Sequence, residues 1–329
     1  MASGDSTRAT TQGTTKTASV ETWDDLIYGG QAENIRERLQ NDLAALLRKW
    51  RRRLRHYNVL VLYVLEKSLD ETETDQIYQA LDNLDNRKKD LLLILVSNGG
   101  KIEPAYQISK LCRDWSKDKF VVAVPRRAKS AATLLALGAD EVHMGPLGEL
   151  GPIDPQFGWM PGLAIQDSLR VIVEMTEKYP NSAPVWPGII QGKVPLPYIG
   201  YYERMTESSV QYAKRLLVAG KSGPDRATKI ANRLVYGYKD HSFVIDRDEA
   251  KEIFGDSVVV SSNELAFGEE AYRLISRIEG RLKAVIADDN NMVYGGVSMV
   301  GTPGDGVTLL PRRRKREGPP NDDDESETD

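Results

Sequence analysis

Three stretches of the chain carry residues that could do chemistry. In PRRAKSAATLLALGADE (125–141), Ser130 stands where an apolar strand gives way to a short apolar helix, among Ala128, Ala131 and Ala132. Small neighbours let a substrate backbone approach. A helix N-terminus also aims unpaired N–H groups at whatever the Ser130 hydroxyl attacks. The plainer alternative is an ordinary helix N-cap. In SNGGKIEPAY (97–106), a glycine pair follows the strand LLLILVS directly and precedes a helix. Glycine reaches positive φ without strain and can leave its amide open to an anion or an oxyanion. The alternative there is a tight turn between strand and helix.

A serine hydroxyl attacks only when a neighbouring base takes its proton. The chain has three histidines, His56, His143 and His241. His56 lies in a basic helix end and suits the task poorly. His143 lies in a strand, where pairing is its expected role. His241, in YGYKDHSFVID, is the better candidate of the three. A lysine also serves as base when burial lowers its pKa. Lys193 sits in the apolar, proline-rich IIQGKVPLPYIGYYERMTESS and meets that condition. A surface-loop lysine is its alternative.

Strands and helices alternate around these residues. NVLVLYVL (58–65), LLLILVS (91–97), FVVAVP (120–125) and DEVHMG (140–145) read as strands. Residues 73–84, 103–115 and 130–139 between them read as helices. This spacing predicts parallel βαβ units, and near-continuous apolar strands predict a sheet covered on both faces. Before it, Ile35, Leu39, Leu43, Leu46, Leu47, Trp50 and Leu54 recur at three- and four-residue spacing, which predicts one long amphipathic helix over 31–57. Its basic end, RKWRRRLRH, complements the helix dipole. Docking on the body or on a second subunit is expected for it, with contact at a membrane surface as the alternative. Helices are also expected over 165–179, 205–220, 225–237 and 269–287.

The 329 residues are 40% hydrophobic and 28% charged, a soluble globular balance. The longest apolar runs fall well short of a membrane span, and the polar N-terminus has no signal-peptide core. The formal charge of −4 gives no electrostatic reason for a nucleic-acid partner. Cys112 is the single cysteine, which excludes an intrachain disulfide and a multi-cysteine metal site. No metal, nucleotide or other cofactor is expected, no Walker-type loop is present, and cytoplasm is the expected compartment. The organisation expected is a disordered tail (1–20), the amphipathic helix (21–57), a catalytic domain (58–287), a loop or hairpin (288–310) and a disordered charged tail (311–329).

A strand ending in SNGG, a helix, a strand, and then AKSAATLLALGADEVHMGPLGELGPIDPQ resembles the Clp-fold serine peptidases. Within them it is most similar to the serine dehydrogenase proteinase family, related to signal peptide peptidase A. GYKDHSFVIDRDEA resembles that family's stretch joining a tyrosine–histidine motif to a helix. The resemblance covers about residues 58–260. It implies a Clp/crotonase-like α/β fold, a repeated ββα/βαβ superhelix with an N-terminal helix and additional C-terminal helices.

It also implies peptide-bond hydrolysis through an acyl-enzyme. Ser130 matches the nucleophile, and Gly99 and Ala131 match the two backbone donors of the oxyanion hole. Lys193 precedes MTESSVQYAKRLL as the base of the Ser–Lys members precedes its helix. The Clp branch uses histidine and aspartate instead. GPIDPQ holds no histidine near the corresponding strand, which favours Lys193 and leaves His241 second. Peptide or protein substrates and a homo-oligomer follow from the resemblance. Relatives commonly carry an N-terminal membrane anchor, where this chain has a polar tail and an amphipathic helix. A crotonase-type acyl-CoA enzyme and a catalytically silent peptide-binding scaffold are the alternatives.

Overall fold

The strands YNVLVLYV and DLLLILVS have no polar alternate positions, so both of their faces need cover. In the computed structural model they receive it. The structure describes residues 22–29, 31–84, 88–157, 160–161, 163–191, 196–220, 222–284 and 294–311. The expected tail 1–20 and nearly all of 311–329 lie outside them.

The chain begins with α1 (Trp23–Tyr28) and α2 (Ala32–Trp50), then alternates β1 (Tyr57–Val64), α3 (Glu71–Asp82), β2 (Asp90–Ser97), α4 (Ile102–Trp115) and β3 (Phe120–Val124). Short elements follow: β4 (Arg127–Ala128), α5 (Ala131–Ala136), β5 (Glu141–Met144), β6 (Glu149–Leu150) and the ribbon β7 (Gln156–Phe157) with β8 (Met160–Pro161). Helices dominate thereafter: α6 (Leu163–Lys178), α7 (Trp186–Ile190), α8 (Leu196–Ala219), α9 (Pro224–Tyr236) and α10 (Arg247–Phe254). β9 (Val258–Val259), α11 (Asn263–Ala284), β10 (Tyr294–Gly301) and β11 (Val307–Pro311) complete the described chain.

The main sheet runs β11-β10-β1-β2-β3-β5-β9, with β4 joined to β2 and β6 to β4. β1, β2, β3, β5 and β9 are parallel, and the β10–β11 hairpin adds to the edge of β1 antiparallel. In β1, Leu60, Leu62 and Val64 face one layer of helices, while Val59, Val61 and Tyr63 face the other. β2 and β3 divide their side chains in the same way. The first layer contains α3, α4, α5, α8, α9 and α10. The second contains α1, α2 and α11. Burial on both faces is therefore the reason these strands read as unbroken apolar runs.

The apolar stripe of the N-terminal helix is used within the chain. Ile35, Leu39 and Leu43 are fully buried, with α2 packed on α11 and β11. Each contributes about 1.5–3 kcal/mol through burial. Most of the stripe is thus taken up inside the fold, against α11 and β11, with Leu46 and Leu47 partly buried. Nor does α2 run to residue 57: it ends at Trp50, and turns carry the chain into β1. Leu43→Ala should lower stability by about 2–5 kcal/mol. Urea unfolding checks this, and a change within about 0.5 kcal/mol would contradict the packing described. Among the described residues, no helix is long and apolar enough to cross a membrane.

Because β1 to β3 are parallel, the loops that follow them leave the same edge of the sheet. That edge is where open α/β sheets place ligands, and it collects Leu65–Leu69, Asn98–Lys101 and the segment that carries Ser130.

Candidate active site

The strand β2 ends at Ser97, whose backbone and side chain organise the next turn. Its carbonyl accepts the Lys129 N–H at 3.0 Å. Its buried hydroxyl accepts the Gly99 N–H at 3.0 Å. Gly99 lies at φ +96°. A Cβ there would stand 2.6 Å from the Lys129 carbonyl oxygen, 2.8 Å from Ser130 Cβ and 3.0 Å from the Ala131 nitrogen. The glycine is therefore what allows the two turns to touch. At Gly100 a Cβ would stand 2.3 Å from the backbone of Leu69. Here the chains pair: Leu69 N–H donates to Gly99 O, and Lys101 N–H donates to Leu69 O, both at 2.9 Å. In such a parallel bridge the amide of Gly100 itself lies on the side away from Leu69.

Ser130 precedes α5. It is the one non-glycine residue with positive φ among the described residues, at φ 52° and ψ −121°. It stands at the N-cap position, but its side chain makes no capping hydrogen bond. Strain of this kind persists where the surroundings over-determine it and clusters at functional sites. Here the over-determination is visible. Thr133 Oγ1 donates to Ala128 O at 2.6 Å and accepts the Gly151 N–H at 2.9 Å. This fastens the serine turn to the segment that leads to Asp154.

An open cleft of about 720 Å³ lies over this corner, lined by Asn98, Gly99, Gly100, Ser130, Asp154 and His241 among others. His241 Nδ1 donates to Asp154 Oδ1 at 2.7 Å, in a pair separated by 87 residues. Gln156 Nε2 donates to the other oxygen, Asp154 Oδ2, at 2.9 Å. A carboxylate accepting at Nδ1 fixes the imidazole tautomer that leaves Nε2 free to accept a proton. The loop around His241 has its own supports. Asp240 accepts from the backbone and hydroxyl of Ser242, and the Tyr238 and Phe243 rings stack with centroids 4.8 Å apart. Leu150 and Ile245 exchange backbone hydrogen bonds at 2.9 and 3.1 Å. Asp246 then caps α10 by accepting from the amides of Asp248 and Glu249.

The structure brings together Ser130, Gly99, Gly100 and Ala131, together with His241. Two expectations need correction or restriction. The Gly99 amide, expected as an oxyanion donor, is already engaged by the Ser97 hydroxyl. Lys193, expected as the base, lies outside the described residues. His143 has the paired-strand role expected of it: it is buried, with Nδ1 2.7 Å from Ser262 Oγ and Nε2 3.0 Å from Glu141. Cys112 is fully buried, and burial pushes its thiol well up from the usual range, which removes it as a rival nucleophile. The sequence reading takes Asp154 only as part of GPIDPQ, a stretch without histidine. Its one sequence signal is its place in GPIDPQ, directly after the strand that pairs beside Ala128.

The fold and the cleft together define a parallel-sheet α/β domain with a strained serine at a glycine-lined corner. Residues 58–182 match the family described as ClpP-like SDH-type serine proteinase. Over that span the chain is similar to that family. Two uncharacterized proteins of Methanocaldococcus jannaschii are similar to it. One is 28% identical over 167 residues, covering 51% of this chain and 53% of the relative. The other is 27% identical over 161 residues, covering 49% of each. The chain thus spans about half the length of the curated relatives it matches. Among solved structures, a membrane-bound stomatin-specific protease in complex with a substrate peptide is similar over 64% of this chain and 77% of that one, at 18% identity and a TM-score of 0.42.

Proposed function

We propose that this protein is a serine peptidase that cleaves peptide bonds through an acyl-enzyme, with Ser130 as nucleophile and His241, oriented by Asp154, as base. The observation that carries this reading is the Asp154–His241 hydrogen bond in the cleft that Ser130 also lines. His241 Nε2 takes the Ser130 proton as Oγ attacks the carbonyl carbon. The amides of Ala131, at the start of α5, and of Gly100 donate to the oxyanion, each donor supplying about 3–4 kcal/mol. The imidazolium then gives its proton to the leaving amine, and water, deprotonated in turn by His241, releases the acyl group. The Asp154 carboxylate steadies the imidazolium.

The Ser130–Lys193 dyad is the second reading, supported by the order of Lys193 before MTESSVQYAKRLL. The acyl-CoA alternative is disfavoured, because enolate chemistry has no use for a strained serine beside a histidine–aspartate pair. Ser130, Asp154 and His241 all come from one chain. Substrates are proposed to be extended peptides, which fit an open cleft.

Ser130→Ala should reduce hydrolysis of a fluorogenic peptide mixture or unfolded casein by on the order of 10⁵–10⁶-fold in kcat, to background. Hydrolysis by that variant at the wild-type rate would remove Ser130 from the reaction and the peptidase reading with it.

A further inference from the structure

We propose that Lys129 is a positioning residue for this site, holding the Asp154 segment and the His241 loop in register with Ser130. The inference rests on the serine-peptidase reading above and adds to it a residue that touches neither substrate nor the reacting atoms. Lys129 immediately precedes the nucleophile. Its backbone is fixed, with N–H on the Ser97 carbonyl and C=O accepting the Ala132 N–H. Its side chain is 17% exposed and reaches away from the cleft to two backbone carbonyls. Nζ donates to Leu150 O at 3.1 Å and to Phe243 O at 3.0 Å. Leu150 lies four residues before Asp154, and Phe243 lies two residues after His241. One ammonium group therefore ties the acid's segment and the base's loop to the residue that carries the nucleophile.

The surroundings are shaped for this side chain. A Cβ at Gly151 would stand 2.8 Å from Lys129 Cδ, so the glycine leaves the stem its path. Glu149 Oε2 lies 3.7 Å from Nζ and balances part of its charge. Arg126 and Arg127 on the same loop also face Glu149, at 3.3 and 3.6 Å. Burial holds the Lys129 amine below the usual lysine range. The tether survives loss of the charge, because a neutral amine still has two N–H donors for two carbonyls.

The consequence is kinetic. Misplacement of a catalytic group by about 1 Å can cost on the order of 10²-fold in rate. Lys129→Cys and Gly151→Ala should each lower kcat for peptide hydrolysis by about 10–100-fold with KM near wild type. The first removes the donors, and the second displaces the stem from outside the triad. Labelling of Ser130 by a fluorophosphonate should slow by the same factor.

Alkylating Lys129→Cys with 2-bromoethylamine rebuilds a lysine-length side chain ending in an amine. Cys112 is buried and does not compete. The treatment should restore most of kcat, which a loss of mere packing would not allow. Wild-type kcat and labelling rate in both folded variants would overturn the inference, and so would a loss in Lys129→Cys that aminoethylation leaves unrepaired. Ser130→Ala, run beside them, separates the two claims. Full activity in Ser130→Ala removes the peptidase reading. Inactive Ser130→Ala with undiminished Lys129→Cys removes only the tether.

Discussion

His241→Ala is expected to lower kcat by on the order of 10⁵–10⁶-fold, nearly as much as loss of the serine itself, with the fold intact. The reason is that nucleophile and base act as a unit: without a proton acceptor the Ser130 hydroxyl is no better than water, and removing either member removes the same step. His241 is partly exposed on a surface loop, so its loss leaves no buried cavity, and urea unfolding should move little. Asp154→Asn should cost on the order of 10⁴-fold, since an amide donating to Nδ1 favours the tautomer whose Nε2 carries the proton. Lys193→Ala should retain kcat close to wild type. Steady-state kinetics on one fluorogenic peptide checks all three. A large loss in Lys193→Ala beside an active His241→Ala would move the base from His241 to Lys193.

Gly99→Ala should cost on the order of 10²–10³-fold in kcat without abolishing the fold, a loss comparable to removal of an oxyanion donor. Its methyl would press on the Lys129 carbonyl, Ser130 Cβ and the Ala131 nitrogen at once, all within 3.0 Å. Two of these belong to atoms that neighbour the reacting centre. The residue must also hold φ +96°, which an alanine adopts only with strain. Relief requires the serine turn to shift by several tenths of an ångström, and the Ala131 amide shifts with it. The Gly99 amide is itself committed to Ser97, so the expected loss comes from displaced neighbours rather than from its own donor. Kinetics and fluorophosphonate labelling should both fall, while circular dichroism stays native. Wild-type kcat in this variant would show that the two turns do not need their present contact.

The parts of the fold that were legible in the sequence are those where one local pattern has one physical outcome. NVLVLYVL and LLLILVS are long enough for strands, too short for membrane helices and nearly unbroken in apolar residues, so burial on two faces is the consistent reading. The stripe from Ile35 to Leu54 announced a helix, but periodicity does not say what covers a stripe. The structure covers it with α11 and the β10–β11 hairpin, both of which arrive more than 200 residues later. The helix also stops at Trp50, because the chain must turn to enter β1.

Ser130 was legible as a corner residue because strand, small residues and helix follow one another within ten positions. Its positive φ was not, since the contacts around it, Gly99 against the serine turn and Gly151 on Thr133, come from segments distant in sequence. The Asp154–His241 pair joins residues 87 positions apart, and each alone has an ordinary structural use. Pairing across that distance is a property of the sheet edge, where β6 and the loop before α10 meet. The engagement of the Gly99 amide by Ser97 was hidden for a simpler reason: a serine at the end of a strand gives no sign of where its hydroxyl points.

The most direct test of the central claim is to map a fluorophosphonate adduct by intact-mass and peptide mass spectrometry on wild type, His241→Ala and Lys193→Ala. A single adduct on Ser130 is expected in wild type and in Lys193→Ala, with labelling in His241→Ala slowed by orders of magnitude. An adduct elsewhere, or equal labelling of Ser130 in wild type and His241→Ala, would contradict a serine activated by a histidine–aspartate pair.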